Sequence, residues 1–595
     1  MVHSRAGVKR DMLRWTATML LLPLLLLARA PIARASATAL AACTACPPSS
    51  AGAMCRISCP SDLDQEGPGT GHCIRCPTTA AIPTGVAVVD VTLPADPAST
   101  LTTLQLGINS PGGTYCPCNI AKGCKAPLNA TTDLLRLRPQ FVRTHDVSLL
   151  NPSTFSISPP NPLGTPTLNW ADLFPSLAAD PSLPASYNFT SADAWAAEFD
   201  ALGIPLLMRL GTGWFSPPSM TAVPQCKAET LAEAFLHFAM HFNDGWGGGR
   251  QPTASQKIKY WEVWNEPEGS RFWTGNTSAF HDILALTVQK LRKYDPSLRV
   301  GPNNACPGAP ECTSGMNPGF ELAALDNTLS RGIRPNLYSW HEYIVENPTL
   351  TVPIYRWTAQ QLAARNLSDV EQIITEWNPC GGQPASCVPP YQTDAWAACD
   401  FAQTVLTHAT LGVTMTAPYP LCATNTDWGL ISTETVPTGA LTWRPQAFAF
   451  QMMAEVLRAA PYVAQGTTVR PWEASPTEPH EPRMNQSDNK YFAAGFTNGN
   501  RSRISVVFVA RMQPSDDPTA VPPITQQEVL VTVRGVKPST GYLASAFAID
   551  MDRSNTAVGG PPVVVVSDVQ GTLHLPHSYG SITPRVLHVK LDQQQ

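Results

Sequence analysis

The stretch YWEVWNEP at residues 260–267 decides the expected fold. It reads as an apolar strand that ends in two polar residues, Asn265 and Glu266, and the proline that follows ends the strand because it cannot donate to a sheet ladder. A second stretch, IITEWNP at 373–379, repeats the pattern and places Glu376 at its end. Active sites of parallel barrels lie at the C-terminal ends of the strands, so the pattern predicts two carboxylates facing one cavity.

The chain around these stretches alternates short apolar strands with longer helical segments, which favours βα units and a parallel sheet. Eight candidate strands follow one another at 104–109, 141–145, 205–210, 258–266, 298–302, 336–341, 372–378 and 412–417. Apolar residues spaced by three and four predict helices at 191–202, 227–242, 277–294, 393–410 and 445–458. The predicted fold class is therefore α/β, with a (β/α)8 TIM barrel over residues 101–458. The Pro- and Ser-rich stretch 149–187 is expected to be a long loop over one face, after the second strand.

Beyond residue 458 the pattern becomes all-β. Candidate strands lie at 491–496, 504–510, 528–534, 542–549, 563–566 and 585–590, separated by Gly, Asn and Pro. This predicts a β-sandwich over residues 459–595. The early strand VAVVDVTL at 86–93 has no helix partner before the barrel begins, so segment 83–100 is expected to fold back into that sandwich.

The N-terminus has the pattern of a secretory signal. Basic residues precede an apolar run at 15–28, and small residues suited to a signal peptidase follow. This predicts a signal peptide over 1–35 and a protein that is secreted or held in the endomembrane lumen. An uncleaved signal anchor is the alternative, although the run is shorter than the roughly 20 residues that span a bilayer. No later segment is expected to span a membrane.

Cysteines, sequons and charge agree with that compartment. The chain has 16 cysteines, six of them at 43–76. Disulfides are the expected use in an oxidising compartment, which makes 36–82 a small cysteine-rich module, with a zinc ribbon as the alternative for its two CxxC pairs. Two short loops are expected to be closed by Cys306 with Cys312 and by Cys380 with Cys387. Glycosylation sequons occur at Asn129, Asn188, Asn276, Asn366, Asn485 and Asn500. The formal charge of -5 makes nucleic acid an unexpected partner.

Two carboxylates at one cavity are what cleavage of a glycosidic bond needs. One acts as an acid that protonates the departing oxygen, and the other attacks the anomeric carbon. The substrate expected from this chemistry is an oligo- or polysaccharide, and the reaction needs no cofactor. A retaining reaction predicts that the two carboxyl groups are about 5 to 5.5 Å apart.

The motifs YWEVWNEPEGSRFW and IITEWNP resemble the acid/base and nucleophile motifs of glycoside hydrolase family 39, which contains β-xylosidases and α-L-iduronidases. The resemblance implies that Glu266 is the acid/base, that Glu376 is the nucleophile, and that Asn265 donates a hydrogen bond to the sugar 2-hydroxyl. FVRTHD at 141–146 and LYSWHEY at 337–343 resemble the ends of the second and sixth strands of that family. This implies that His145 and His341 contact the sugar and that Tyr343 binds the nucleophile.

Strand alternation adds further candidates around the cavity. It sends Glu262, Trp264 and Glu266 to one face of their strand, and it places Arg143 on the same face as His145. Arg143 is therefore expected to contact the substrate or to neutralise Glu262. Two tryptophans near the motifs, Trp273 and Trp428, are the expected platforms for apolar sugar faces.

Other functions remain open at this point. A secreted carbohydrate-binding protein could keep the barrel without catalysis, but it would be expected to have replaced one of the glutamates. A metal-dependent hydrolase would need a cluster of His and Asp at ligand spacing, and His145 with Asp146 does not make one. Among glycosidases, the run EPEGSRFW at 266–273 favours an exo-acting β-xylosidase-like enzyme over an α-L-iduronidase-like enzyme. An endo-acting polysaccharide hydrolase is a further alternative.

Overall fold

The computed structural model describes sixteen segments of the chain: 86–93, 104–110, 113–116, 128–144, 170–211, 221–312, 319–343, 350–378, 395–423, 429–432, 441–464, 466–471, 491–510, 528–549, 555–578 and 585–594. The chain divides into two units, Met1–Ala81 and Ile82–Gln595, and all these segments belong to the second. The predicted signal peptide and cysteine-rich module lie outside the described residues. So do Cys380, Cys387, His145 and Trp428.

Eight parallel strands form a closed barrel, and the predicted fold class is confirmed. In chain order the barrel strands are Gln105–Leu106 with Ile108–Asn109, Val142–Arg143, Leu206–Leu210, Tyr260–Val263, Arg299–Asn304, Leu337–Glu342, Glu371–Trp377 and Met415–Pro418. The two halves of the first strand close the barrel, because one half pairs with the eighth strand and the other with the second. Gly107 separates these halves, and a Cβ there would lie 2.4 Å from the ring of Phe141. The interruption therefore accommodates a large side chain in the barrel interior.

Helices follow the barrel strands in the order expected from the sequence. The α-helices are Thr131–Leu137, Trp170–Leu173, Thr190–Leu202, Ala228–Asp244, Thr277–Tyr294, Phe320–Ser330, Thr351–Ala363, Ala395–Leu411 and Pro445–Ala459. Short 3-10 helices lie at Pro184–Ser186, Gln225–Lys227 and Trp246–Gly248. The longer helices bury their apolar faces on the barrel, as Phe280 and Ile283 do in the helix after the fourth strand. None of the helices described is long and apolar enough to cross a bilayer.

The barrel interior has two layers that differ in chemistry. The lower layer is apolar and consists of Phe141, Leu207, Leu337, Ile373, Met415 and Ala417. Two residues further along each of the first seven strands, and therefore on the same inward face, the buried side chains become polar. This upper layer consists of Asn109, Arg143, Arg209, Glu262, Asn303, Ser339 and Thr375. The polar layer lies at the C-terminal end of the strands, where a barrel carries its active site.

Two sheets with a shared apolar core form the C-terminal sandwich. One sheet has the order Gly466–Pro471, Val86–Thr92, Glu528–Arg534 and Thr572–Ser578. The other has the order Tyr462–Val463, Tyr491–Thr497, Arg503–Ala510, Arg585–Gln593, Gly541–Ile549 and Asn555–Val566. The early strand lies inside the first sheet, parallel to Glu528–Arg534 and antiparallel to Gly466–Pro471. Its Val89 and Val91 are fully buried in the core between the sheets.

The sandwich packs on the barrel through its larger sheet. The outward-facing Phe496 and Val507 of that sheet belong to the same apolar core as the helices Ala395–Leu411 and Pro445–Ala459. Two disulfides are present among the described residues. Cys306 pairs with Cys312, as expected from the spacing, and Cys116 pairs with Cys422 across 306 positions of sequence, which spacing alone did not indicate.

Candidate active site

The fourth barrel strand ends earlier than the sequence pattern predicts. The strand stops at Val263, and both Trp264 (φ 76°) and Glu266 (φ 44°) lie in the left-handed region that residues other than glycine rarely adopt. Trp264 consequently points away from the cavity: its indole is fully buried and meets Trp273 edge-on at 5.2 Å. The expectation that Glu262, Trp264 and Glu266 share one face is therefore wrong. The unusual backbone is what returns Glu266 to the cavity, and such strain is a feature of functional sites.

Glu266 and Glu376 meet at the mouth of the barrel, with His341 beside them. The imidazole Nδ1 lies 2.6 Å from Oε1 of Glu266 and 3.6 Å from Oε2 of Glu376. One oxygen from each carboxyl and one ring nitrogen of His341 all lie within 4.8 Å of one another. The two glutamate side chains are only 12% and 5% exposed. The two sequence motifs therefore deliver their carboxylates to one largely dehydrated space.

Glu262 forms the charged floor of this space. Its carboxylate is fully buried, and Oε1 accepts hydrogen bonds from the hydroxyls of Ser339 and Thr375 and from the amide of Asn303. Oε2 accepts from Nε of Arg143 at 2.6 Å. A buried charge is stable only when it is paired and hydrogen-bonded, and these four contacts meet that requirement.

Arg143 connects this floor to Glu376. Besides its bond to Glu262, it donates from Nη1 to Oε1 of Glu376 at 2.5 Å and to Oδ1 of Asn109 at 3.0 Å. Burial alone would lower the pKa of Arg143, but the two carboxylates outweigh burial and raise it, so the guanidinium stays charged. The side chain is fully excluded from solvent. Arg143 therefore binds Glu376 and also neutralises Glu262, which was one of its two expected roles. A contact of Arg143 with the substrate stays a prediction.

His341 is also fully buried, and both of its ring nitrogens are engaged. Asn303 accepts from Arg143 through Oδ1, so its Nδ2 donates to Nε2 of His341 at 2.9 Å. This network assigns the proton to Nδ1, which donates to Oε1 of Glu266 at 2.6 Å. Burial lowers the pKa of His341 to about 4, so the ring is neutral near pH 7. His341 thus orients Glu266, and its expected contact with the sugar stays a prediction.

Tyr343 and Asn265 both lie beside the two carboxylates. The Tyr343 hydroxyl donates to Oε2 of Glu376 at 2.7 Å, so the expected hydrogen bond is present. Burial, together with the charge of Glu376, raises the pKa of Tyr343 well above its ordinary value, and the phenol remains a donor. Asn265 accepts from Arg143 through Oδ1, at 3.3 Å. Within the described segments its Nδ2 has no protein acceptor, so this N–H can donate to a ligand.

Trp273 does not present a face to the cavity. It is 5% exposed and packs edge-on against both Trp264 and Phe280. Its indole nitrogen donates to the carbonyl of Asn276. The ring is part of the packing around Trp264, and a role of Trp273 as a sugar platform stays a prediction. His145 and Trp428, the other two contacts predicted from sequence, lie outside the described residues.

Glu266, His341 and Glu376 are also the three described residues whose potential metal ligands come together. The surroundings argue against a cation there. Arg143 already places a positive charge 2.5 Å from Glu376, and a second cation beside it would be repelled. His341 uses Nδ1 as a donor to Glu266, whereas a metal ligand needs a free lone pair at that atom. The arrangement therefore fits a pair of carboxyl groups held by protein hydrogen-bond donors better than it fits a metal site.

Sequence reasoning missed most of the polar layer beneath the carboxylates. Asn109, Asn303, Ser339 and Thr375 all orient Arg143, Glu262 or His341. The sequence did contain a signal for them. Each of these residues lies on an inward-facing position of its strand, two residues after a glycine or a buried apolar residue. Polar residues at such positions are unusual in a core, and they mark the level at which the barrel interior becomes a site.

Solved structures of glycosidases have a similar fold. A glucosidase from Croceicoccus marinus gives a TM-score of 0.60 at 16% identity, covering 86% of this chain and 99% of that chain. A monomeric β-xylosidase from Caulobacter crescentus CB15 gives 0.53 at 16% identity, covering 85% and 99%. A bacterial orthologue of human α-L-iduronidase gives 0.56 at 11% identity, covering 86% and 84%.

The chain shares the fold of these proteins. No family model and no curated protein matches its sequence. At identities this low the likeness concerns the backbone alone, and the activity has to be argued from the side chains of the site. The three neighbours are named for three different sugars, so the fold does not select the substrate.

Proposed function

We propose that the protein is a retaining glycoside hydrolase in which Glu266 is the acid/base and Glu376 the nucleophile. The observation that carries the proposal is the approach of the two carboxyl groups, whose nearest oxygens lie within 4.8 Å. Retaining enzymes place their carboxyl groups about 5 to 5.5 Å apart, whereas inverting enzymes leave about 6.5 to 9.5 Å for a water molecule. Carboxyl oxygens this close leave little room for a water molecule between the two groups, which supports direct attack by a carboxylate.

In the first step Glu376 attacks the anomeric carbon while the glycosidic C–O bond breaks. Arg143 and Tyr343 each hold one oxygen of the nucleophile, at 2.5 and 2.7 Å, which fixes the direction of its attack. Glu266 gives its proton to the departing oxygen. His341 donates to Oε1 of Glu266, and we assign the acid proton to Oε2. The products are a glycosyl ester on Glu376 and the free alcohol.

In the second step water attacks the same carbon, and Glu266, now a carboxylate, accepts a proton from it. The ester bond breaks, and Glu376 returns to its ionised state beside Arg143. The neutral ring of His341 suits both steps, because it donates to Glu266 whether that residue is an acid or a base. Asn265 supports both transition states by donating from Nδ2 to the 2-hydroxyl of the sugar.

The proposed substrate is a neutral sugar, with exo-acting β-xylosidase-like activity as the preferred form. A sugar carboxylate such as that of iduronate requires a cationic or N–H partner. Arg143, the cation bonded to the nucleophile, cannot supply one, because its Nε, Nη1 and Nη2 atoms all donate to protein oxygens. The run EGSRFW after Glu266 is also closer to the xylosidases of the resembling family.

The proposal is tested by assaying the purified protein against aryl glycosides that include β-xyloside, β-glucoside, α-L-arabinofuranoside and α-L-iduronide. Proton NMR of the first product formed should show the anomeric configuration of the substrate. An initially inverted anomer would reject the retaining mechanism, and no hydrolysis across the panel would reject the activity. Product lengths from xylo-oligosaccharides separate exo from endo action.

We further propose that the protein is secreted after removal of residues 1–35 and that it is glycosylated. The described sequon asparagines Asn129, Asn188, Asn276, Asn366 and Asn500 are all exposed, which supports access by a glycosyltransferase. After expression in a eukaryotic secretory host, the protein should be found in the culture medium, and its mass should decrease on endoglycosidase treatment. N-terminal sequencing would identify the cleavage point, and a chain that remains intracellular and unglycosylated would contradict the proposal.

A further inference from the structure

A second pair of acidic residues lies behind Glu266, and the mechanism above does not use it. Glu268 follows Glu266 by two positions in the loop after the fourth barrel strand. Its Oε1 accepts hydrogen bonds from the backbone N–H groups of Ala305 at 2.5 Å and Cys306 at 3.2 Å. These groups lie at the end of the fifth strand, next to the Cys306–Cys312 disulfide. One oxygen of Glu268 is thus firmly bound to the adjacent strand end.

Glu321 is the partner of Glu268. It lies in the first turn of the helix Phe320–Ser330 and is 2% exposed. With the Asn304 amide oriented to satisfy both of its groups, Nδ2 donates to the two oxygens of Glu321 at 3.0 and 2.8 Å, and Oδ1 accepts from the Tyr338 hydroxyl at 2.7 Å. Every oxygen of Glu321 therefore has a donor, while its carboxyl also contacts that of Glu268.

The remaining oxygen of Glu268 requires a proton from this pair. Oε2 is buried and has no hydrogen-bond donor in the described part of the chain. Two adjacent buried carboxylates repel each other strongly, and sharing one proton removes that repulsion and supplies the missing donor. Burial, together with the charge of Glu266 when that residue is ionised, raises the pKa of Glu268 to about 8. Burial with the charge of Glu268 raises the pKa of Glu321 well above its ordinary value.

The charge of the pair acts on Glu266 together with those of the other groups around it. The titratable and charged groups around Glu266 are Glu262 on its own strand, Arg143 on the second, Arg209 on the third, His341 and Tyr343 on the sixth, and Glu376 on the seventh. Arg143 forms an ion pair with Glu262, and His341 is uncharged. The buried cation Arg209 favours an ionised Glu266. Glu376 and the acidic pair are the negative charges that act in the opposite direction and favour a proton on Glu266 in the free enzyme.

We propose that Glu268 and Glu321 share one proton and that the negative charge left on the pair retains the proton on Glu266 until a leaving group takes it. Both are positioning residues, since neither touches the reacting atoms. The inference rests on the proposed glycosidase activity, because only an acid catalyst needs to stay protonated near neutral pH. In this role the pair sets the upper pH limit at which the enzyme works.

The pH dependence of kcat/KM tests this role. The double variant Glu268→Gln/Glu321→Gln removes the charge and keeps the shape, so its basic limb should move to lower pH by roughly one unit, a tenfold loss of the protonated acid. Each single variant leaves one carboxylate that can hold the charge, and its limb should move less. Glu455→Gln, an exposed carboxylate on the helix Pro445–Ala459, is the matched control and should not move the limb. A double variant with the wild-type profile would overturn the proposal.

Infrared spectroscopy tests the shared proton without any assay of activity. In the Glu266→Gln protein, which has no acid/base proton, a protonated-carboxyl stretching band should be present at pH 7 and be lost when Glu268→Gln and Glu321→Gln are added. Absence of that band from the Glu266→Gln protein overturns the shared proton even if the double variant does not fold. If the band is present but no glycoside is cleaved, the pair stands and the proposed function fails.

Discussion

The guanidinium of Arg143 and the carboxylate of Glu262 form an ion pair at 2.6 Å in which both side chains are fully excluded from solvent. Removing one partner of such a pair leaves a charge buried without compensation, which costs about 3–5 kcal/mol. Arg143→Met should therefore lower the thermal midpoint strongly and abolish hydrolysis, because Glu376 loses its anchor as well. Arg143→Lys should fold better but still lose most of kcat, since an ammonium cannot reproduce the fork of the guanidinium.

The control for this prediction is an exposed pair. Arg334 and Asp369 also form an ion pair, but their side chains are 40% and 69% exposed. Surface pairs contribute about 0–1 kcal/mol, so Arg334→Lys should change neither the thermal midpoint nor kcat measurably. If Arg143→Lys behaves like Arg334→Lys, Arg143 does not hold the nucleophile.

Gly211 is expected to be required for the position of Glu266. It follows the third strand with φ of 82°, and a Cβ there would lie 2.4 Å from the indole of Trp264. Gly211→Ala must displace Trp264, which lies two residues before the acid/base. We expect a loss of stability beyond the roughly 1 kcal/mol of the backbone term and a fall in kcat, measured by thermal unfolding and steady-state kinetics.

Gly332 offers a matched comparison. Its φ is 70°, but a Cβ there would meet no atom within 4 Å. Gly332→Ala therefore carries the backbone cost alone and should leave kcat unchanged. Equal effects on stability and kcat at the two positions would show that the contact with Trp264 does not position Glu266.

The two carboxylates should respond differently to the leaving group. Glu376→Gln should abolish hydrolysis of an activated aryl glycoside. Glu266→Ala should lose about 10²–10⁴-fold on substrates with poor leaving groups and much less on activated ones, because only the former need protonation. Azide should partly rescue Glu266→Ala on an activated substrate and give a glycosyl azide of retained configuration. Full activity of Glu376→Gln would remove that residue as the nucleophile.

The sequence allowed the barrel, its eight strands and the two carboxylates to be predicted, because burial inside a parallel barrel produces short apolar runs whose ends are polar. The orientation of individual side chains was less predictable. Strand parity failed at Trp264, where a positive φ breaks the two-residue alternation. A short motif also does not tell how deeply its side chains are buried. The motifs led us to expect Arg143 and His341 at the sugar, yet both are fully buried and bind the two carboxylates.

The acidic pair was beyond sequence reasoning for a different reason. Glu268 and Glu321 come from a loop and from a helix 53 positions later, and only the tertiary fold brings them together. A glutamate in a polar loop and another in the first turn of a helix each fit their local surroundings. The electrostatic cost of ionising both residues arises only because the two carboxyl groups are buried side by side.

The cost of ionising Glu268 in the folded protein predicts how the free energy of unfolding depends on pH. The pKa of Glu268 rises from 4.5 to about 8 on folding, so between these values the folded state binds more protons than the unfolded state. Stability from this group is therefore fully present below about pH 4.5 and is lost as the pH rises through 8, with a slope of about −1.4 kcal/mol per pH unit for one proton. Glu268→Gln cannot ionise and should flatten this dependence, while Glu455→Gln should keep it. Thermal midpoints recorded from pH 5 to pH 9 give the comparison, and parallel curves for the wild type and Glu268→Gln would show that Glu268 is ionised in the folded protein.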